Sequence, residues 1–170
     1  MLPIMLDGLN IRAGVAGAGD GLRRRLLVLA AGGVRNPVIF ADATPCAEDI
    51  AGLTVLFIAG LDESRSRDLA GIARQARVLV NVEDIPALCD FHVPAQVRRG
   101  DLVLTVSTGG RSPGLSRALR EHLEGRFGPE WDRRLEEIAS LREQWRAHGV
   151  GPNDISQRTR ELVAERGWLV

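Results

Sequence analysis

Short apolar runs punctuate the first two thirds of this 170-residue chain, and charged segments of helical length separate most of them. The runs are Ile11 to Ala16, Val38 to Ala41, Thr54 to Ala59, Val78 to Val82 and Leu102 to Val106. They are rich in Val, Leu and Ile and alternate poorly between apolar and polar, the pattern of strands buried on both faces. Segments near 20–31, 63–76 and 115–125 carry helical apolar spacing. Strand and helix in alternation predict an α/β fold on a doubly wound parallel sheet.

The pattern changes after Gly128-Pro129. Trp131, Leu135, Ile138, Leu141 and Trp145 step by three and four, which makes one apolar helical stripe. This stripe packs either on the sheet domain or on a second subunit. "HGVGPND" ends that helix, and Asn153 or Asp154 is the predicted cap of a last helix running to about Gly167. The chain shows no internal repeat and no low-complexity tract.

Composition narrows the function classes. Lys plus Arg and Asp plus Glu number 22 each, so the formal net charge is zero. That argues against a general nucleic-acid or membrane-surface binder, which needs excess positive charge. The positive charge is carried by arginine, whose fork suits carboxylates and phosphates. Cys46 and Cys89 lack CxxC spacing and are expected as free thiols of a cytoplasmic protein. "MLPIMLDGLN" has no basic segment and meets Asp7 early, so no signal peptide is expected, and no apolar run is long enough for a bilayer. His92, His122 and His148 are scattered, so no metal site is predicted. His92 is expected to pack, Glu83 to be solvated or to support a neighbour, and Cys89 to be buried and inert.

Two glycine loops follow strands and open helices. In "IRAGVAGAGDGL", Gly17 and Gly19 match the first two positions of G-x-G-x-x-G, and Leu22 stands in the third. Gly17 allows the tight turn and Gly19 lets backbone approach a pyrophosphate; the bulk of Leu22 requires the close helix–strand contact to loosen or shift. Asp42, after the second strand, stands where a carboxylate takes a ribose diol, which favours NAD over NADP. The plain alternative is a turn with Asp42 as a cap. The second loop is Ser107-Thr108-Gly109-Gly110-Arg111-Ser112-Pro113-Gly114, followed by a helix with Arg117 and Arg120. Backbone N–H groups at a helix start favour anions, and these arginines either add charge-assisted bonds or form a solvated face. Asp84 lies just past a predicted strand, at the carboxyl end where ligands bind in such sheets.

The pieces "LPIMLD", "VNVEDIPALCDF", "VPAQVRRGDL" and "STGGRSPGLSRALREHLE" together resemble the precorrin-2 dehydrogenase / sirohydrochlorin ferrochelatase family, which also forms the front part of siroheme synthases. The resemblance covers residues 2 to about 125, and the C-terminal helices only in outline. It implies a Rossmann-like domain over 1–93, a dimerisation and tetrapyrrole-contacting segment over 94–126, and a small C-terminal helical domain over 127–170. It implies NAD-dependent oxidation of precorrin-2 to sirohydrochlorin by a cytoplasmic homodimer, with Fe²⁺ insertion to siroheme in many members. Asp84 becomes the expected acid/base residue. Gly17, Gly19, Asp20, Gly21, Asp42, Ala43 and Asp62 become the expected NAD contacts. Ser107, Thr108, Gly109, Gly110, Arg111, Ser112, Arg117 and Arg120 become the expected contacts of the tetrapyrrole, whose eight carboxylates give the second anion site its purpose.

Three departures from the family fall on the NAD half. Arg12 and Gly14 interrupt the first strand, "ATPCAEDIAG" replaces a further strand and turn, and Gly60 and Ser66 stand for the usual Thr and Asn. They leave open a second reading, a ferrochelatase or tetrapyrrole-binding protein with weakened NAD use.

Overall fold

A computed structural model describes residues 1–169 as two compact units, Met1–Val93 and a second beginning at Pro94. The first unit is a four-stranded parallel sheet, in the order β2 (Val38–Ala41), β1 (Ala13–Gly17), β3 (Val55–Ala59), β4 (Leu79–Val82). Every residue of β1 and β3 is buried, as strands without alternation require, while edge strand β2 alternates. Helix α1 (Gly19–Ala31) covers one face, where Leu22, Leu26 and Leu29 meet Val15, Val55 and Phe57. It ends on a Schellman turn: Gly33 is left-handed, and Val34 N–H bonds back to Leu29 O. Helices α2 (Ala47–Ile50) and α3 (Glu63–Gln75) cover the other face, where Ile50, Leu69, Ala70 and Ala73 join Leu56, Ile58 and Val80. Burying each large aliphatic side chain contributes about 1.5–3 kcal/mol.

Two of the departures have physical explanations. Arg12 precedes β1, and an added Cβ at Gly14 would stand 2.7 Å from a Leu53 methyl and 3.1 Å from a Leu56 methyl. The glycine therefore makes room for those leucines on the sheet. Between β2 and β3 the chain forms only α2, so no strand intervenes among the described residues.

The second unit departs from expectation. Leu102–Val106 is not a strand of the parallel sheet. As β6 it pairs antiparallel with β5 (Ala95–Arg99), and its residues are only partly buried. A five-residue apolar run reads alike in either setting, because its partner is chosen by the turn at Gly100, which is left-handed. Helices α4 (Pro113–Arg126), α5 (Glu130–Ala147) and α6 (Pro152–Glu165) complete the unit. Gly151, not Asn153 or Asp154, is the N-cap of α6, and Pro152 takes its first turn.

Both tryptophans of the stripe have ring contacts within their own unit. Trp131 is buried with its ring 5.0 Å from Phe127 and 6.3 Å from Trp168, and the Arg134 guanidinium lies over both indoles. Trp145 takes Arg158 of α6. Arg99 ties the hairpin to the end of α4, donating to Phe127 O at 2.8 Å and Glu124 O at 3.4 Å. Arg99→Ala should destabilise this unit by about 2 kcal/mol, since charged donors to otherwise orphaned helix carbonyls are lost. All three tryptophans lie in this unit, so the urea midpoint of tryptophan fluorescence measures it. An unchanged midpoint would refute the clamp.

Candidate active site

The order β2-β1-β3-β4 reverses direction between β1 and β3, which makes a crevice at the carboxyl ends of the strands. Four loops leave that end: Ala18–Gly21 after β1, Asp42–Ala43 after β2, Gly60–Asp62 after β3 and Glu83–Asp84 after β4. Parallel topology brings together what the sequence spreads over almost seventy residues. Backbone bonds tie the loops: Ala18 N–H donates to Ala59 O at 3.2 Å, Asp42 N–H to Gly17 O at 3.1 Å, and Glu83 N–H to Ile58 O at 2.9 Å.

The three glycines of the first loop do different things. A Cβ on Gly17 would stand 2.9 Å from the Ala59 carbonyl carbon and closer still to its oxygen. Gly19 is left-handed, and a Cβ there would meet nothing within 4 Å. Gly21 takes the close-packing position that the G-x-G-x-x-G spacing assigns to Leu22: a Cβ on it would be 2.9 Å from Gly60 N and 2.6 Å from Glu83 Oε2. The contact has shifted by one residue, and Leu22 is free to pack into the core instead.

Helix α1 begins with no side-chain cap at Ala18, and among the described residues nothing accepts from the N–H groups of Gly19, Asp20 or Gly21. An uncapped N-terminus beside an open glycine is a cradle for a phosphate. Asp20 pairs with Arg23. Asp42 and Ala43 are exposed after β2, and Asp42 is left-handed at φ 54°. Asp62, expected at the cofactor, caps α3, its Oδ1 accepting from Arg65 N–H at 2.9 Å. Ser66 is buried in the first turn of that helix.

Glu83 is not solvated: its side chain is 15% exposed, and its carboxylate pairs with Arg24 at 3.1 Å and Arg25 at 3.8 Å. This link between β4 and α1 escaped sequence reasoning, because no local pattern joins the partners. Asp84, next to it, is exposed and left-handed at φ 59°. A left-handed aspartate at a strand's carboxyl end is a costly conformation of the kind found at functional sites. His92 is exposed rather than packed, and Cys89 is only partly buried.

The second loop is self-satisfied. Thr108 Oγ1 lies 2.9 Å from Ser116 Oγ, donates to Ser112 O at 3.0 Å and accepts from Ser112 N–H at 3.2 Å. Ser107 Oγ accepts from Gly109 N–H, and Ser112 Oγ caps α4 through Leu115 N–H. Left-handed Gly109 and Gly110 carry the turn. Arg117 and Arg120 pair along the helix with Glu121, and Arg120 also with Glu124. Arg117 lowers the Glu121 carboxyl below its ordinary pKa by hydrogen bonding, with smaller help from the two charges. Only Arg111, among the arginines expected here, has no partner among the described residues. The two loops thus differ: α1 offers open N–H groups, whereas α4 is capped and its free cation is Arg111.

No cluster of three or more His, Cys, Asp or Glu suits a metal ion, and no helix is long and apolar enough to cross a membrane, among the described residues. A cavity of about 540 Å³, lined in part by Gly8, Arg12, Arg35 and Val38, opens at the amino ends of the strands, opposite the crevice.

Two family models match successive parts of the chain. Residues 4–95 match a putative NAD(P)-binding family, and residues 99–126 match the central segment of sirohaem biosynthesis proteins. The siroheme biosynthesis protein met8 of Schizosaccharomyces pombe is 28% identical over 117 residues, 68% of this chain and 44% of that protein. A siroheme synthase of Nitrosomonas europaea is 35% identical over 134 residues, 78% of this chain and 27% of that protein. The chain therefore spans less than half the length of these relatives. A solved structure of SirC, a precorrin-2 dehydrogenase, shares the fold at a TM-score of 0.74 and 19% identity, over 99% of this chain and 92% of that one. By these matches the chain belongs to the precorrin-2 dehydrogenase / sirohydrochlorin ferrochelatase family.

Proposed function

We propose that this protein oxidises precorrin-2 to sirohydrochlorin with NAD⁺. The observation that carries the reading is the uncapped start of α1 beside open Gly19, at the same end of the sheet as Asp84. Bound NAD⁺ supplies the hydride acceptor. The N–H groups of Gly19, Asp20 and Gly21 would hold its pyrophosphate, and Asp42, with Ala43, its adenosine ribose. An aspartate in that place repels a 2′-phosphate, which favours NAD over NADP. Asp62 and Glu83 shape the crevice, the first by fixing α3 and the second by fixing α1.

Asp84 takes the proton that the macrocycle gives up as hydride leaves, since an exposed carboxylate at a strand end is free to act as base. The Ser107–Ser112 loop is a preformed surface whose Arg111 would bind a substrate carboxylate. Thr108, Gly109 and Gly110 fix its shape; Arg117 and Arg120 would have to leave Glu121 and Glu124 to reach a further carboxylate. The reading includes a homodimer through residues 94–126. It is supported by Leu115 and Leu119, one turn apart on α4 and 51% and 42% exposed.

A second reading is insertion of substrate Fe²⁺ with weak NAD use. It draws on Asp62 being spent as a cap and on the Glu83 carboxylate lying against the first turn of α1. Anaerobic incubation with precorrin-2, followed by absorbance, separates the two. NAD⁺-dependent formation of sirohydrochlorin is the expected result. No conversion, with acceleration of Fe²⁺ uptake by supplied sirohydrochlorin, would favour the second.

A further inference from the structure

Strand β4 is the last in the sheet, so one of its edges has no strand partner. Its outward backbone groups are met instead by "CD", through the side chains of Cys89 and Asp90 and the Asp90 backbone. Val80 N–H donates to Asp90 Oδ2 at 3.0 Å, and Asp90 N–H returns a bond to Val80 O at 2.8 Å. One pleat further on, Val82 N–H donates to Cys89 Sγ at 3.2 Å, and the thiol donates back to Val82 O at the same distance. Ile85 O lies 3.6 Å from the sulfur, and Asn81 Nδ2 donates to it at 3.7 Å. The sulfur thus bonds to both backbone groups of Val82, before Asp84, and lies beside Ile85 O, after it, a carbonyl already held by Leu88 N–H at 3.0 Å. Between those two points the backbone turns left-handed at Asp84. Arg74 secures the far side of the clamp through Asp90 Oδ1 at 2.9 Å and Leu88 O at 2.8 Å.

We propose that Cys89 is a positioning residue for Asp84: its thiol closes the turn after β4 and holds that carboxylate in its left-handed conformation. This rests on the reading of Asp84 as the base. It goes beyond that reading by giving the cysteine of the "ALCDF" motif a task in the reaction. A thiol suits it because one sulfur both accepts from an N–H and donates to a carbonyl. Removing it would leave Val82 N–H and C=O without partners and the turn free to relax.

The test is a double-substitution cycle on the full chain, using Cys89→Ala, Cys89→Ser and Asp84→Asn. Cys89→Ala is expected to lower kcat about tenfold, the size of loss that a small misplacement of a catalytic group causes, with KM for NAD⁺ and precorrin-2 within about twofold. Cys89→Ser should recover most of that loss, because the hydroxyl keeps a donor and an acceptor. Combined with Asp84→Asn, Cys89→Ala should cost nothing more, because its effect runs through the carboxylate. Losses that multiply, or a serine variant as slow as the alanine one, would overturn the proposal. A second measurement needs no turnover: backbone NMR shifts of Asp84 should leave the left-handed range in Cys89→Ala and stay there in Cys89→Ser. Unmoved shifts in the alanine variant overturn the proposal even if the protein does not oxidise precorrin-2. Should the alanine variant not fold, hydrogen exchange of the wild-type protein decides: the Val82 amide is expected to be protected like that of Val80, and fast exchange at Val82 overturns the clamp.

Discussion

Asp84→Asn is expected to lower kcat for precorrin-2 oxidation about 100- to 1000-fold, the range that a positioned acid/base group contributes. NAD⁺ affinity should stay within about twofold, because the pyrophosphate cradle is on another loop. Asparagine is the informative replacement. It tolerates the left-handed backbone that Asp84 adopts, so the variant removes the base without disturbing the turn. Alanine would add backbone strain and confuse the two effects. Steady-state kinetics with saturating NAD⁺ check the expectation. An asparagine variant within about threefold of wild type would mean that another group accepts the proton.

The second large effect separates two glycines of one loop. Gly17→Ala drives a methyl group against the Ala59 carbonyl, which is backbone of a central strand and cannot give way. A loss of about 3 kcal/mol in stability is expected, as for overpacking in a rigid core. Gly19→Ala meets nothing within 4 Å, so the fold should survive at a cost of about 1 kcal/mol for the left-handed backbone. Its methyl would instead stand where the dinucleotide must approach, and the Kd for NAD⁺ should rise about tenfold or more. Urea unfolding by far-ultraviolet circular dichroism and NAD⁺ titration read the two effects. A Gly19→Ala protein that binds NAD⁺ as well as wild type would place the pyrophosphate elsewhere.

The alternation of strands and helices was legible because the period of apolar positions is set within a few residues. Val38–Ala41 and Leu102–Val106 form strands where the pattern places them, and α1 and α3 begin and end within a residue or two of the expected bounds. Strand β5, in "VPAQVRRGDL", was not foreseen as a strand, since its arginines mask a half-buried pattern. The roles of carboxylates were less legible still. Asp62, an expected cofactor contact, also caps a helix, and Glu83, expected to be solvated or to support a neighbour, pairs with arginines of α1 that no local pattern points to.

By itself, then, the sequence determined most of the elements, the two glycine loops and the acids at strand ends, because these follow from local sterics and periodicity. The tertiary structure alone decided where Leu102–Val106 pairs, that Gly21 rather than residue 22 takes the close contact with the Gly60 backbone, and which side chains already have partners. Those outcomes depend on groups far apart in the chain, such as Arg24 and Glu83, which are 59 residues apart in sequence. Hydrogen-bond and charge partners are assigned only once the strands have packed, and no short-range pattern records them.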